Sequence, residues 1–292
     1  MRSHERVKPG DVVSGDHHAT LLHRDVLGAL PVSFRQKVKQ RGQQKYGDPI
    51  APNQGVAARY MHRATVVPVS ITGGLISGPS RWAVVLPVKA LTGAKTRLLP
   101  ADDPVRPELA LAFLQDVLSA LSDSEAVTQV TVVTDDPDVQ QVAAEANHLW
   151  APESPHRGLN EAALFGASLT PPGLGIAIVA GDLPCLTGEV IDFVLRYAGI
   201  YERSFVADTQ GIGTTMMMCH TIAGCTPAFG TRSRARHTAL GYVELGLSEN
   251  PSQRRNLARV HRDVDTQVDL WDAIRIGVGP ATESALQRRI KQ

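Results

Sequence analysis

The stretch from Trp82 to Leu98, WAVVLPVKALTGAKTRL, decides how this chain is read. Its first seven residues are continuously apolar, the pattern of a strand buried on both faces in a parallel sheet. A basic loop containing a glycine comes next. Residues 106–121 (RPELALAFLQDVLSAL) then carry apolar side chains at 109, 113, 114, 117, 118 and 121, which is helical spacing, with Pro107 in the first turn. Outward from there the alternation repeats. Strands are predicted over 130–134, 148–151 and 175–180 (GIAIVA), and helices over 137–147, 159–169 and 188–198. Residues 203–207 and 214–219 read as strands around a glycine turn, 234–240 as a short helix, and 266–276 as a last helix. Strands alternating with helices predict an α/β domain with a mostly parallel sheet. In such sheets ligands sit beyond the carboxyl ends of the strands. No internal repeat is visible.

The chain has 292 residues, 43% apolar and 20% charged, so a sizeable core can form; with 5% aromatics it must be built from aliphatic side chains. Thirty Lys and Arg against 29 Asp and Glu leave a net charge of +1, which excludes a global field for nucleic acid or another polyanion. The three cysteines (Cys185, Cys219, Cys225) show no C-x-x-C spacing. Neither a disulfide framework nor a zinc ribbon is expected, and a cytoplasmic, reducing location fits. No apolar run reaches ~18 residues, so no membrane span is expected, and the polar first 16 residues do not support a secretory signal.

The charge is unevenly spread: residues 1–80 hold 11 Lys and Arg against 5 Asp and Glu, whereas 81–292 hold 19 against 24. Residues 26–38 could form a short helix, 42–55 read as loop, and 65–76 are mildly β-like but broken by Pro68 and Gly73-Gly74. So little apolar patterning does not offset chain entropy. Residues 1–79 are therefore expected to be a low-order basic extension, with 80–292 as the folded domain. An over-early start codon would account for the extension; a polyanion-binding tail is the functional alternative. His17, His18 and His23 lack a companion Cys or carboxylate cluster and read as solvated.

Chemistry is sought where strands end. Within 81–292 the lysines are Lys89, Lys95 and Lys291, so two of three lie six residues apart in the first strand-to-helix loop, with Arg97 beside them. Three cations there make a cradle for a triphosphate; a solvated basic loop is the alternative. The loop is not a P-loop, since no G-x-x-x-x-G-K-[ST] aligns on it, and Gly211-Ile212-Gly213 is no dinucleotide fingerprint because Met216 takes the third glycine position. After the strand at 175–180 stands Gly181-Asp182-Leu183-Pro184, whose carboxylate could reach a divalent metal or merely cap a helix. In Asp263-Val264-Asp265-Thr266, extended backbone would turn both aspartates to one side, although Asp265 could instead cap the following helix. Three carboxylates and a triphosphate suit Mg²⁺, which prefers few carboxylates plus phosphate oxygens. Finally, Gly230-Thr231-Arg232-Ser233 opens a predicted helix, with free backbone N–H groups and hydroxyls suited to a small phosphorylated acid, or an ordinary helix cap.

Taken in order, PVKALTGAKTRL (87–98), Leu159-Asn160, GDLP (181–184), FVADTQGIGT (205–214), FGTRSRARH (229–237) and DVDT (263–266) resemble one family. It is the phosphoenolpyruvate/2-phospho-L-lactate guanylyltransferases of coenzyme F-420 biosynthesis, and the resemblance covers roughly 82–285. GDLP and a basic first loop recur among nucleotidyltransferases; the six together are far more specific. The resemblance implies a three-layer, Rossmann-like nucleotidyltransferase-A fold. It implies substrate binding by Thr214, Gly230 and Ser233, metal binding by Asp182, Asp263 and Asp265, and contacts of Lys89, Lys95, Arg97 and Asn160 with the nucleotide. Lys89 and Lys95 would also act in catalysis. The implied partners are GTP and phosphoenolpyruvate with Mg²⁺, and it leaves room for a homo-oligomer and for hand-over of product to the downstream transferase. The segment before Pro227, around Cys225, fits no pattern of the family. Two other readings stay open: the same chemistry on 2-phospho-L-lactate or another acceptor, and a non-catalytic nucleotide-binding protein of the same fold.

Overall fold

The computed structural model describes residues 66–68, 78–100, 102–153, 158–246 and 251–290. The chain divides into two units, 1–53 and 54–292, and every described residue belongs to the second. The expectations for a helix at 26–38, the loop at 42–55 and the histidines near residue 20 lie outside the described residues.

In chain order the elements are β1 (Val66–Pro68), β2 (Trp82–Pro87), α1 (Val105–Ser122), β3 (Val127–Val133), α2 (Pro137–Glu145), β4 (Leu149–Ala151), α3 (Leu159–Ser168), β5 (Gly175–Val179), α4 (Gly188–Ala198), β6 (Arg203–Ala207), β7 (Thr214–Cys219), α5 (Ser233–Ala239), β8 (Val243–Gly246), α6 (Pro251–His261), α7 (Gln267–Ile276) and α8 (Pro280–Ile290). The strands form one sheet in the order β1-β8-β6-β7-β5-β2-β3-β4. Every pairing is parallel except those of β7 with β5 and β6, so β7 alone runs against the others.

The pleat explains the layers. Val84 and Leu86 point to one face, where Leu114, Val117 and Leu118 of α1, Val139 of α2, and Ile191 and Val194 of α4 cover them. Val85 points to the other face and packs with Ala162, Ala163 and Ala167 of α3. Alanines suffice there because α3 lies close: a Cβ added to Gly166 would stand 2.4 Å from a Val85 methyl. A third apolar cluster joins Leu98 and Leu99 of the basic loop to Leu109 and Phe113 of α1, Val264, and Leu270 of α7. That cluster anchors the far end of the loop. The fold is thus the expected three-layer α/β arrangement with a mostly parallel sheet.

Three elements differ from the sequence expectation. The helix at 266–276 is not the last, because α8 follows it, its first N–H groups capped by Asp116 of α1 through Ala281 N (2.9 Å) and Thr282 N (3.0 Å). The four-residue β8 carries a buried Glu244, which breaks its apolar pattern and is satisfied by Arg234 at 2.9 Å. The polar α6 (PSQRRNLARVH) buries little more than Leu257 and Val260, too few to announce a helix by periodicity.

Candidate active site

Because β2, β5 and β6 run the same way, the loops after them emerge at one edge of the sheet. Because β7 is reversed, its first residue, Thr214, lies at that edge too. The result is a cleft of about 940 Å³ lined by Lys89, Lys95, Arg97, Asp182, Asp208, Thr214, Gly230, Ser233, Asp263 and Asp265 among others.

The loop after β2 is held from beneath. Asp136, which caps α2, also accepts a hydrogen bond from Leu91 N at 2.8 Å. Arg106 of α1, 5% exposed, donates to Thr92 O at 2.7 Å and to Ala94 O. Leu98 and Leu99 are buried. Between these anchors Lys95 adopts a left-handed backbone, φ 58°, and its ammonium lies between two carboxylates. It donates to Asp182 and to Asp265 Oδ1 at 3.0 Å, with its side chain 10% exposed. Burial works against the charge on Lys95, but the Asp182 and Asp265 carboxylates outweigh it and hold its pKa above the ordinary lysine value. Arg97 pairs with the other oxygen of Asp265 at 2.5 Å from an exposed position. Lys89 is exposed at the cleft and enters none of the ion pairs found among the described residues.

The acidic wall is built as the alternation predicts. Val264 N donates to Asp182 O at 3.1 Å, laying the 263–265 segment beside the end of β5. The Val264 side chain is fully buried in the third cluster, and its neighbours Asp263 and Asp265 both line the cleft. Asp265 does not cap α7: Thr266 does, in a reciprocal box with Asp269. Burial, reinforced by the charges of Asp182, Asp265 and Asp208 and opposed by Lys95, pushes Asp263 up to about 7. The donor set is all oxygen, which fits a hard divalent cation. The carboxylates are not preassembled around such an ion, however. Lys95 stands between two of them, and among the described residues no three His, Cys, Asp or Glu side chains are gathered as a metal site.

The opposite wall comes from β7 and α5. Asp208 ties the hairpin turn by accepting from Ile212 N and Gly213 N, each at 2.8 Å. Gly230 turns the chain at φ 102°, a value L side chains rarely adopt, and brings Thr231 and Ser233 to the cleft. Two of the N–H groups at this turn are engaged: Ser233 N is bound to Gly230 O at 3.0 Å and Arg234 N to Ile212 O at 3.1 Å. With seven residues, α5 is also too short for a strong macrodipole.

Asn160 stands apart from the other expected residues. Leu159 lines the cleft and Asn160 does not. Its carboxamide is committed to the Phe229 backbone, accepting from Phe229 N at 2.7 Å and donating to Phe229 O at 3.3 Å. Arg236 donates to the same carbonyl at 2.6 Å. Asn160 thus shapes the Gly230 loop from behind. The segment around Cys225, unmatched in the sequence, is tied to Tyr242, whose hydroxyl accepts from Thr226 N at 2.8 Å and donates to Gly224 O at 3.0 Å. Sequence reasoning missed Asp208 and His237 as residues of the site, although both stand inside the motifs that carry the family resemblance. His237 is fully buried and hydrogen-bonded to Thr214.

A strand-end cleft with cations and carboxylates on one wall and hydroxyl side chains on the other defines the class: an α/β protein equipped to bring two phosphorylated ligands together. Residues 82–241 match the model of the family described as "Guanylyl transferase CofC like", and the chain belongs to that family. Similar proteins include phosphoenolpyruvate guanylyltransferases from Thermomonospora curvata (41% identity over 71% of this chain and 89% of the relative), from Streptomyces avermitilis (41%, over 71% and 95%) and from Geodermatophilus obscurus (44%, over 70% and 94%). Among the described residues no helix is long and apolar enough to cross a membrane.

Proposed function

We propose that this chain condenses phosphoenolpyruvate with GTP, giving enolpyruvoyl-2-diphospho-5'-guanosine and pyrophosphate, a step in coenzyme F-420 biosynthesis. The observation that carries this reading is the cleft, where Lys95, Asp182 and Asp265 are joined on one wall and Thr214 and Ser233 face them. Family membership and the similarity to the three guanylyltransferases support it.

A phosphate oxygen of phosphoenolpyruvate attacks the α-phosphorus of GTP, the bond from that phosphorus to the β-bridging oxygen breaks, and pyrophosphate departs. A phosphate monoester loses its second proton near pH ~6, so the nucleophile is already charged and needs no general base. In keeping with this, neither His nor Cys is among the described residues lining the cleft. The task is to bring two polyanions together in line. Lys89, Lys95 and Arg97 would offset charge on the triphosphate and on the departing pyrophosphate. Thr214, Gly230 and Ser233 would hold the acceptor. Asp182, Asp263 and Asp265 would hold Mg²⁺, which when bound supplies further charge compensation to phosphate oxygens. Asn160, first expected against the nucleotide, would act through the Phe229 backbone. The three cysteines are free and buried, which supports a reducing, cytoplasmic location.

The test is pyrophosphate release with GTP and Mg²⁺, comparing phosphoenolpyruvate with 2-phospho-L-lactate. The expected result is release that needs an acceptor, with higher kcat/KM for phosphoenolpyruvate. The two acids differ at one carbon, so the preference should be modest, about ten- to hundredfold. A higher value for 2-phospho-L-lactate overturns the acceptor and leaves guanylyl transfer standing. Nucleotide binding without release under any acceptor overturns both.

A further inference from the structure

We infer that His237 is a positioning residue: held as its Nδ1–H tautomer, it obliges the Thr214 hydroxyl to present its proton to the cleft, making Thr214 a dedicated donor to an anionic oxygen of the acceptor. This rests on the proposed placement of the acceptor at Thr214 and names the chemistry by which it is recognised there.

The assignment follows from which groups can donate. Ala228 N lies 3.0 Å from His237 Nε2, and a backbone N–H can only donate. Nε2 must therefore offer its lone pair, and the one proton of a neutral imidazole sits on Nδ1. Nδ1 is 2.9 Å from Thr214 Oγ1, so the ring donates and the hydroxyl oxygen accepts. A threonine hydroxyl is ordinarily free to donate or accept in either direction. Here its acceptor side is engaged from within the protein, and its own hydrogen is left for the half-buried cleft that Thr214 lines. A carboxylate or phosphate oxygen can take that hydrogen, whereas a ligand N–H or an ammonium cannot.

The surroundings keep the ring in this state. His237 is fully buried, walled by Phe205, Phe229 and Tyr242 with ring centroids 5.6, 5.2 and 5.4 Å away. A protonated ring would turn a second N–H against that of Ala228. Burial, with Arg236 on the same helix, brings the imidazole down to about 4, so it is neutral wherever the chain is folded near neutral pH. The Ala228 bond also belongs to the loop that Asn160 and Arg236 fix through Phe229. The tautomer and the Gly230 turn are thus set by the same segment.

Two variants separate positioning from packing. His237→Asn keeps a donor near the place of Nδ1 and loses the acceptor for Ala228 N. His237→Gln can keep an acceptor near Nε2 and loses the donor to Thr214. Positioning predicts a smaller rise in acceptor KM for the Asn variant than for the Gln variant. It predicts an acceptor KM raised about tenfold or more for the Gln variant, the scale of one hydrogen bond to a charged group. The KM for GTP should be unchanged in both. Nitrogen-15 NMR of histidine-labelled protein, with His237 assigned by its disappearance in the Gln variant, reads the tautomer without substrate. The proposal expects a protonated Nδ1 and an unprotonated Nε2. A protonated Nε2, or two variants raising the acceptor KM alike, overturns it. If wild-type protein releases no pyrophosphate with any phosphorylated acid, guanylyl transfer falls. The positioning role is then decided by whether phosphoenolpyruvate shifts the Nδ1 resonance, as expected, or leaves it in place, which overturns it.

Discussion

At the scale of single residues the cleft is a problem of charge compensation. Asp182 and Asp265 share Lys95, and Lys95 also eases the ionisation of Asp263 against three neighbouring carboxylates. Replacing Asp182 by Asn removes an anion from that crowd and costs the fold little. Turnover should fall about a hundredfold or more, since a proposed ligand of the charge-compensating Mg²⁺ is lost, while Tm moves by no more than a few degrees. Steady-state pyrophosphate release and a thermal scan on the same sample decide it; activity retained at saturating Mg²⁺ refutes the metal role. His237 gives a pH signature of known sign. Its folded pKa, about 4, lies below the ordinary 6.5, so the unfolded chain takes up the proton first. The contribution to stability is complete above pH ~6.5, erodes as pH falls and is gone below pH ~4, a loss on the order of 3 kcal/mol. Among the described residues Arg236 and the Tyr242 phenol face the ring, and burial pushes the phenol up to about 12, away from that window. Denaturant midpoints between pH 7.5 and 4.5 should therefore fall more steeply for wild type than for His237→Gln; equal slopes would refute the assignment.

Elements determine what a sequence can disclose about such a site. The aspartates flanking Val264 were legible because strand alternation is local and one residue between them is apolar. Lys89 and Lys95 were legible because lysine is rare after residue 80 and both follow a strand. The bonding of the Asn160 carboxamide to the Phe229 backbone was not legible because that partner lies 69 residues away, and nothing in a carboxamide says whether it faces ligand or protein. The functions of Asp208 and His237 were hidden for the same reason: each acts on backbone or hydroxyl groups that only the folded hairpin supplies. The strand β8 and helix α6 were missed because a buried Glu and a row of arginines mask their apolar faces. Arg106 belongs to this scale as well, because α1 uses it to hold the loop after β2. Arg106→Met would strand the carbonyls of Thr92 and Ala94, costing about 1–3 kcal/mol, and would loosen Lys95. The expected kinetic result is a larger rise in KM for nucleotide than for acceptor; equal rises would show that the loop does not serve the nucleotide side.

For the whole molecule, the cleft-lining residues among those described begin at Pro87. The N-terminal side contributes β1, paired with β8 through Val66, Val67 and Pro68 at the sheet margin. A chain beginning at Gln54 should keep kcat within about threefold of the full chain. One beginning at Pro79, which loses β1, should keep kcat as well but unfold somewhat more easily, a short edge pairing being a modest part of ~5–15 kcal/mol. Matched turnover and denaturation measurements on the three lengths test this, and a tenfold fall in kcat for the Gln54 start would mean that the preceding residues take part in catalysis. The span of the ion pairs bears on time as well as on geometry. Lys95 and Asp265 are separated by 170 positions, whereas Thr214 and His237 are separated by 23. Contacts between distant parts of a chain form late, and during synthesis Asp265 leaves the ribosome long after Lys95 does. The wall carrying Thr214 can therefore close before the carboxylate wall is complete, so in the proposed reaction competence for transfer waits on the arrival of the 263–265 segment beside β5.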